Sequence, residues 1–337
     1  MKYGLHAAHC VWTAASFCRV RADEVDWICS YHRLMSKILV GTASWTDASL
    51  IKSKLFYPPE VKSPEERLRY CASQFPIVEV DSSYYALPSA SNAEKWAERT
   101  PDDFVFNIKA FRLLTGHQTP QASLPKDIQG ELALHFVESK NLYYKDTPAE
   151  IRDEMWRRYE LGIRPLREAG KLRVVHFQFP HWVRPAKATV AHIEECVQRL
   201  DGYQLAVEFR SSGWFDGPRE QETLDWLTEL GVVHVIVDEP QNIAAKSAPQ
   251  VWATTRSDLA IVRLHGRNEE TWDIKGATAA YDRFNYDYTD EELDGLARDI
   301  EDIAKAAGEV HVIFNNNFED QGVRNGRVMQ QKLVGGE

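Results

Sequence analysis

The chain has 337 residues, 44% of them apolar and 27% charged, proportions that exclude disordered, collagen-like and disulfide-scaffold classes and allow one large domain or two of roughly 150 residues. With 50 acidic and 40 basic residues the formal net charge is −10, which argues against a general nucleic-acid coat or an anionic-membrane binder, because both need a positive field. Ten tryptophans are the unusual count, and their meaning depends on where they fall.

Residues 1–34 read as a poorly ordered or mis-annotated leader, with the natural chain starting at Met35 and one domain filling 35–337. The mildly apolar segment from Ala7 to Cys18 contains His9, Thr13 and Ser16, has no small-x-small cleavage pattern and runs into Arg19 and Arg21, which is not the pattern of a signal peptide. No apolar run reaches the roughly 18 residues of a helical membrane span. Cys10, Cys18 and Cys29 fall in this leader, while Cys71 and Cys196 lie in helical patterns without CxxC or Cys/His ligand spacing. They are expected to be buried structural thiols in a reducing cytoplasm, not zinc ligands or disulfide partners.

Eight β-rich runs follow, over 38–45, 77–85, 104–111, 172–180, 205–211, 232–240, 260–266 and 309–317. Helical patterns fill most gaps. Residues 64–75 set Leu68, Cys71, Ala72 and Phe75 on one face behind Pro64, and residues 91–99, 149–166 and 186–200 continue the series. Leu224, Leu227 and Leu230 share a face before Gly231, and Thr289 with Glu292 opens a last helix lined by Leu293, Leu296, Ile300 and Ile303, as a capping box does. Strands alternating with helices imply parallel βαβ units. The reading is an α/β single (β/α)8 TIM-type barrel with a helical insertion after strand three, since 117–164 is too long for one loop and one helix; a lid above the barrel is one use for it. An open doubly wound sheet is the alternative, weakened by the lack of GxGxxG after the first strand.

Side chains two apart share a strand face. That parity pairs Glu79 with Asp81, Asn107 with Lys109, His176 with Gln178, Glu208 with Arg210, His234 with Asp238, Arg263 with His265, and His311 with Asn315. In a helix-covered barrel the apolar sets pack outward, so polar sets on seven of eight strands are expected to converge inward, near the C-terminal mouth where barrel sites are built. A satisfied ion-pair network such as Glu79–Lys109 or Glu208–Arg210 is the structural alternative, but so many ionisable groups favour a functional site.

The same segments resemble the YecE-like family, domain of unknown function 72, from about Ile38 to Lys332. GTASW (41–45) is similar to the family's opening GTSGW and precedes FYP (56–58); VEVDSSYY (78–85) resembles VEINSTFY; Trp96 to Ala110 carries its W-x(3)-TP-x-x-F-x-F-x-x-KA pattern. FQFP (177–180), VEFRSSGWF (207–215), VRLHGR (262–267) and FNNN (314–317) with Val323-Arg324-Asn325 complete the match. The resemblance implies a TIM barrel with no settled reaction, and it points to Trp45, Trp214, His117 and Arg324 as site positions. The chain departs from the pattern at Asp81 for Asn, Ser211 for His and Asn317 for Asp, and the 118–165 region is longer than the family's.

The expected chemistry is acid/base catalysis on a small polar, anionic substrate at the barrel mouth. Glu208 or Glu79 would be the base and Lys109 or His265 the acid or electrophile. Arg210 and Arg263, with Arg267 and Arg324 nearby, would fork onto a carboxylate or phosphate. Asn315 and Asn316 would orient hydroxyls or amides, and Asp81, Gln178 and Asp238 would line the same pocket. No cofactor is expected. A divalent metal on Glu79, Asp81, Glu208, Asp238, His176 and His265 is a second reading, set back by the lack of HxH or HExxH spacing and by the cations already present. A third is a non-catalytic barrel that binds a nucleic acid or small ligand, with the net charge against the former. No GxSxG elbow supports a serine nucleophile.

Trp96, Trp156 and Trp226 fall in helical patterns and read as packing, Trp12 and Trp27 lie in the leader, and Trp252 has no assigned place. Trp45, Trp182, Trp214 and Trp272 fall at strand exits with Tyr84, Tyr85 and Tyr288 as companions. They either roof the barrel or stack against a ligand ring. Motif position favours the site for Trp45 and Trp214, and Tyr85 is taken with them.

Overall fold

A computed structural model describes residues 36–135, 139–241, 247–270, 272 and 283–334. The expected leader, 1–34, lies outside the described residues, and with it Cys10, Cys18, Cys29, Trp12 and Trp27. Eight parallel strands close into a barrel in which each is hydrogen-bonded to its sequence neighbours: β1 (Lys37–Ala43), β2 (Ile77–Val80), β3 (Val105–Lys109), β4 (Leu172–Phe179), β5 (Leu205–Phe209), β6 (Val233–Asp238), β7 (Ala260–Leu264) and β8 (Glu309–Phe314). The circuit closes through β1, which pairs with both β2 and β8. The α/β barrel read from the sequence is the fold, and the open sheet is not.

The crossover helices are α1 (Pro64–Gln74), α2 (Ala90–Glu98), α3 (Ala149–Glu168), α4 (Lys187–Arg199), α5 (Arg219–Glu229) and α6 (Asp290–Ala304), with α7 (Gln321–Val334) following β8. Capping boxes start α1, through Ser63 and Glu66, and α6, through Thr289 and Glu292, satisfying first-turn N–H groups that lack helical partners. Between β3 and α3 the chain forms a short ribbon of Thr119–Pro120 with Asn141–Leu142 and the helix Lys126–Leu134. No described helix lies between β6 and β7. Among the described residues no helix is long and apolar enough to cross a membrane.

Outward-facing side chains pack under the helices. Trp156 of α3, Phe177, Phe179, Phe209, Trp214 and Trp226 of α5 form a continuous ladder of stacked rings over β4 and β5. Val40, Val312 and Phe314 meet Leu293, Ile300 and Met329 of α6 and α7. Inside, Leu39, Ala43, Ile77 and Ile313 form a small apolar cluster. Asn107, His311 and Glu309 form a hydrogen-bonded string that starts in the bore.

Register corrects one expectation. Paired residues in a parallel ladder project to the same face. Val233 pairs with Ala206, Val235 with Ile261 and Val237 with Arg263, whereas His234 pairs with Val207 and Asp238 with Leu264. The valines of β6 therefore face the bore, and His234 and Asp238 face out. The inward series continues to Glu239, one residue beyond the strand.

Gly41 shows how tightly β1 and β2 approach. A Cβ there would stand 2.0 Å from the Ile77 carbonyl oxygen and 2.7 Å from Ile77 Cγ2, so the backbone itself would have to move. Gly41→Ala should lose about 3 kcal/mol, the upper end of core overpacking, read as a lower urea midpoint at unchanged m-value; a neutral substitution would refute the tight contact.

Candidate functional site

The bore is held together by charge. Arg263 of β7 is fully buried and uses both ends of its guanidinium fork: Nη2 stands 2.6 Å from Glu79 Oε1 and Nη1 2.6 Å from Glu208 Oε2. His176 bridges the same carboxylates, with Nδ1 3.1 Å from Glu79 and Nε2 3.3 Å from Glu208. Burial pushes both carboxyls up, but the Arg263 charge and the imidazoles override it. His176 serves Glu79, and His265 and His176 serve Glu208, so both groups are held below the ordinary glutamate range. The chain of charge continues upward. Arg210 Nη1 lies 2.9 Å from Glu208 Oε1 and 2.8 Å from Glu239 Oε2. Two guanidinium groups thus serve three buried carboxylates. Glu239, the outermost, is raised to about 7 by burial and by the Glu208 charge, against the pull of Arg210.

Above this floor lies a cavity of about 900 Å³ at the C-terminal mouth, where the βα-loops of a barrel converge. Its polar lining includes Asp81, Lys109, Gln178, Arg210, Glu239, His265 and Asn315, and Tyr84, Tyr85, His117, Trp182 and Trp272 supply rings. Lys109 Nζ stands 3.1 Å from Asp81 Oδ1; burial and the Glu79 charge raise Asp81 more than Lys109 lowers it. Glu239 Oε1 accepts the Ala248 N–H at 2.9 Å. His265 is pushed down to about 3 by burial and by Arg210, so its ring is neutral at pH 7. Asn315 Nδ2 lies 2.8 Å from His265 Nδ1, and a ring accepting there carries its proton on Nε2, 3.4 Å from Glu208 Oε1.

The expected site residues divide sharply. Asp81, Tyr85, Lys109, His117, Gln178, Arg210, His265 and Asn315 line the cavity. Glu79 and Glu208, expected as the base, do not: their oxygens are committed to Arg263, His176 and Arg210 beneath the floor, and both are held below the ordinary glutamate range. Arg263 likewise has no free fork for a ligand. Asp238 lies outside the bore, bound by Arg267, Tyr288 and Gln250. Asn316 is buried against Tyr286 and Asn325, and Arg324, in the first turn of α7, pairs with Asp287 and Asp320 and does not line the cavity. Trp45 packs edge-on to Trp96, and Trp214 lies in the outer ring ladder with its indole N–H on the Val183 carbonyl. The two tryptophans at the cavity are Trp182 and Trp272.

Glu239 is the group sequence reasoning passed over. It is the second acid of Asp238-Glu239-Pro240, and the strand phase that puts Asp238 inward turns Glu239 outward. The metal reading finds its ligand types divided among partners: Glu79 and Glu208 face Arg263, Asp81 faces Lys109, and Asp238 faces Arg267. Among the described residues no three His, Cys, Asp or Glu side chains form a ready cation site. No described residue of 118–171 lines the cavity.

A family model described as "Protein of unknown function DUF72" matches residues 39–336. The UPF0759 protein YunF of Bacillus subtilis (strain 168) is 32% identical over 299 residues, 88% of this chain and 94% of that protein. The crystal structure of a DUF72 family protein from Enterococcus faecalis V583 is similar with a TM-score of 0.72 and 25% identity, covering 88% of this chain and 95% of the other. That of a DUF72 family protein from Thermotoga maritima MSB8 gives a TM-score of 0.68 and 27% identity over 88% and 99% of the two chains.

Removing Arg263 tests the charge cluster. Arg263→Met should destabilise by about 3–5 kcal/mol, the cost of stranding buried partners. The wild-type contribution of Glu79 and Glu208 is complete above the ordinary value of 4.5 and is withdrawn as pH falls through their lower folded values. In the variant, burial unopposed by the guanidinium favours protonation, so the deficit should shrink on acidification. Urea unfolding at neutral and acidic pH reads this; a deficit independent of pH would assign the loss to packing alone.

Proposed function

The chain belongs to the DUF72 family, and from the chemistry of its barrel mouth we propose that the protein is an acid/base enzyme acting on a small polar, anionic substrate. The observation that carries the reading is Glu239: a buried carboxyl raised to about 7 at a cavity of about 900 Å³ and in contact with Arg210. A group that titrates near the working pH can both take and return a proton, which is the requirement for general acid/base catalysis. In this reading Glu239 is the proton carrier. Arg210 and Lys109 supply positive charge for an anionic group on the substrate, and Gln178 and Asn315 offer amides for its hydroxyls or carbonyls. Glu79, Arg263, Glu208 and His176 are positioning residues: they fix Arg210 from below and keep the floor dry. His265, neutral and tied to Asn315 and Glu208, orients and does not donate. The reading invokes no cofactor and takes a small molecule as partner. It places the activity in the cytoplasm, in keeping with the buried, free thiols of Cys71 and Cys196.

Two measurements test it. Small carboxylates and phosphate monoesters should raise the melting temperature of the wild type, as ligands selective for the native state do, and Arg210→Gln should abolish the shift. A panel without any Arg210-dependent shift would overturn the anion site. Glu239 itself is read by stability. Between 4.5, its ordinary value, and about 7, the folded chain holds a proton that the unfolded chain releases, so wild-type stability falls as pH rises through that interval. Glu239→Gln lacks this slope. Its stability relative to wild type should grow by on the order of 3 kcal/mol across the interval. A constant difference would remove Glu239 as the proton carrier.

A further inference from the structure

One wall of the cavity is aromatic, and the acid/base reading does not use it. Tyr84 and Tyr85 follow β2, His117 follows β3, and His181 and Trp182 follow β4; all five line the cavity. Their rings form an unbroken edge-to-face series. Tyr85 meets Tyr84 at 4.9 Å, Tyr84 meets His117 at 5.1 Å, His117 meets Trp182 at 5.8 Å, and Trp182 meets His181 at 4.8 Å. His117 belongs to the wall as a ring: its Nδ1 is 2.8 Å from Thr115 Oγ1, and burial with the Arg112 and Lys109 charges pushes it down to about 3. Two rings of the series stand open, Tyr85 at one end with 59% exposure and Trp182 toward the other with 49%. Exposed large aromatics at a concave, otherwise polar site mark ligand contact more readily than packing.

The chemistry beside the wall selects the ligand. Asp47, Asp81 and Glu239 line the same cavity. Carboxylates only accept hydrogen bonds when ionised, which suits a ligand rich in hydroxyl donors and opposes a run of phosphates. A pyranose ring has that character, with hydroxyls around its rim and an apolar C–H face that lies against the electron-rich face of an indole or phenol. Arg184, two residues beyond Trp182, also lines the cavity, is exposed, and has no ion pair among the described residues. It stands ready for an acidic substituent.

We propose that the ligand is an acidic oligosaccharide, one uronate unit stacking on Trp182 with its carboxylate on Arg184 while a neighbouring unit enters the cavity toward Glu239. This rests on the acid/base reading for the inner unit and adds an outer sugar subsite. The test applies the full-length protein to an array of uronate-bearing and neutral oligosaccharides, with adenosine monophosphate as a nucleobase probe. Uronate-bearing glycans should be retained above neutral ones. Trp182→Ala should weaken retention about tenfold, within the range that loss of one aromatic stack produces, and Arg184→Gln should erase the preference for acidic over neutral chains. Both side chains are exposed, and a melting curve for each variant verifies the fold. A blank array, retention indifferent to Trp182→Ala, or Trp182-dependent retention of adenosine monophosphate in place of glycans would each overturn the sugar subsite. Monomeric galacturonate separates the two levels. An Arg210-dependent melting shift with a blank array sinks only the outer subsite, whereas loss of both sinks the acid/base reading with it.

Discussion

The fork of Arg263 between Glu79 and Glu208 is the constraint on which the site depends. Taking one guanidinium and two carboxylates out of water is unfavourable unless every charge finds a partner, and each of these does. The pairing draws together β2, β5 and β7, and His176 adds β4. It also determines the chemistry above. Because Glu208 is held ionised, Arg210 divides its charge between Glu208 and Glu239, and the buried outer carboxyl retains its proton to a higher pH. One buried cation thus fixes both the shape of the floor and the proton affinity of the buried carboxyl above it.

The architecture was largely legible in the sequence. Alternation of strand and helix patterns gave the barrel, and the helix boundaries agree to within a few residues because the capping residues and apolar stripes are local. The inward face was also legible wherever an outer helix covers the strand. On β2, β3, β4, β5 and β7 the polar alternates point inward because the outer face must be apolar to pack. That logic fails on β6. No described helix follows it, so its outer face meets an irregular connection where His234 reaches the Val251 carbonyl and Asp238 meets Gln250 and Arg267. Valines are left to face the bore, and the parity is inverted.

The division between floor and lining was not legible for a different reason. Strand parity tells which side a residue faces but not how high it stands, and Glu79, Glu208 and Arg263 lie below the cavity with their partners inside the barrel. Trp45 and Trp214 misled similarly. Motif membership marks a fixed environment, and here that environment is packing: an edge contact with Trp96 in one case and the ring ladder over β5 in the other. Trp182 and Trp272, undistinguished by motif, stand in loops beyond strand ends, where only three-dimensional geometry assigns a role.

The ion cluster lies beneath the cavity and the rings stand around its edge, and this separation bears on how the chain tolerates change. Replacing Glu208 strands a buried charge, and the penalty spreads through Arg263 and Arg210 to several strands. Replacing Tyr85 or Trp182 strands nothing, because both stand largely in water. A lineage can therefore drift at the edge while the ion-paired floor stays intact. Members of the family can therefore share this barrel and its floor while differing at the rim, so a likeness between two of them is better judged at the floor residues than at the edge.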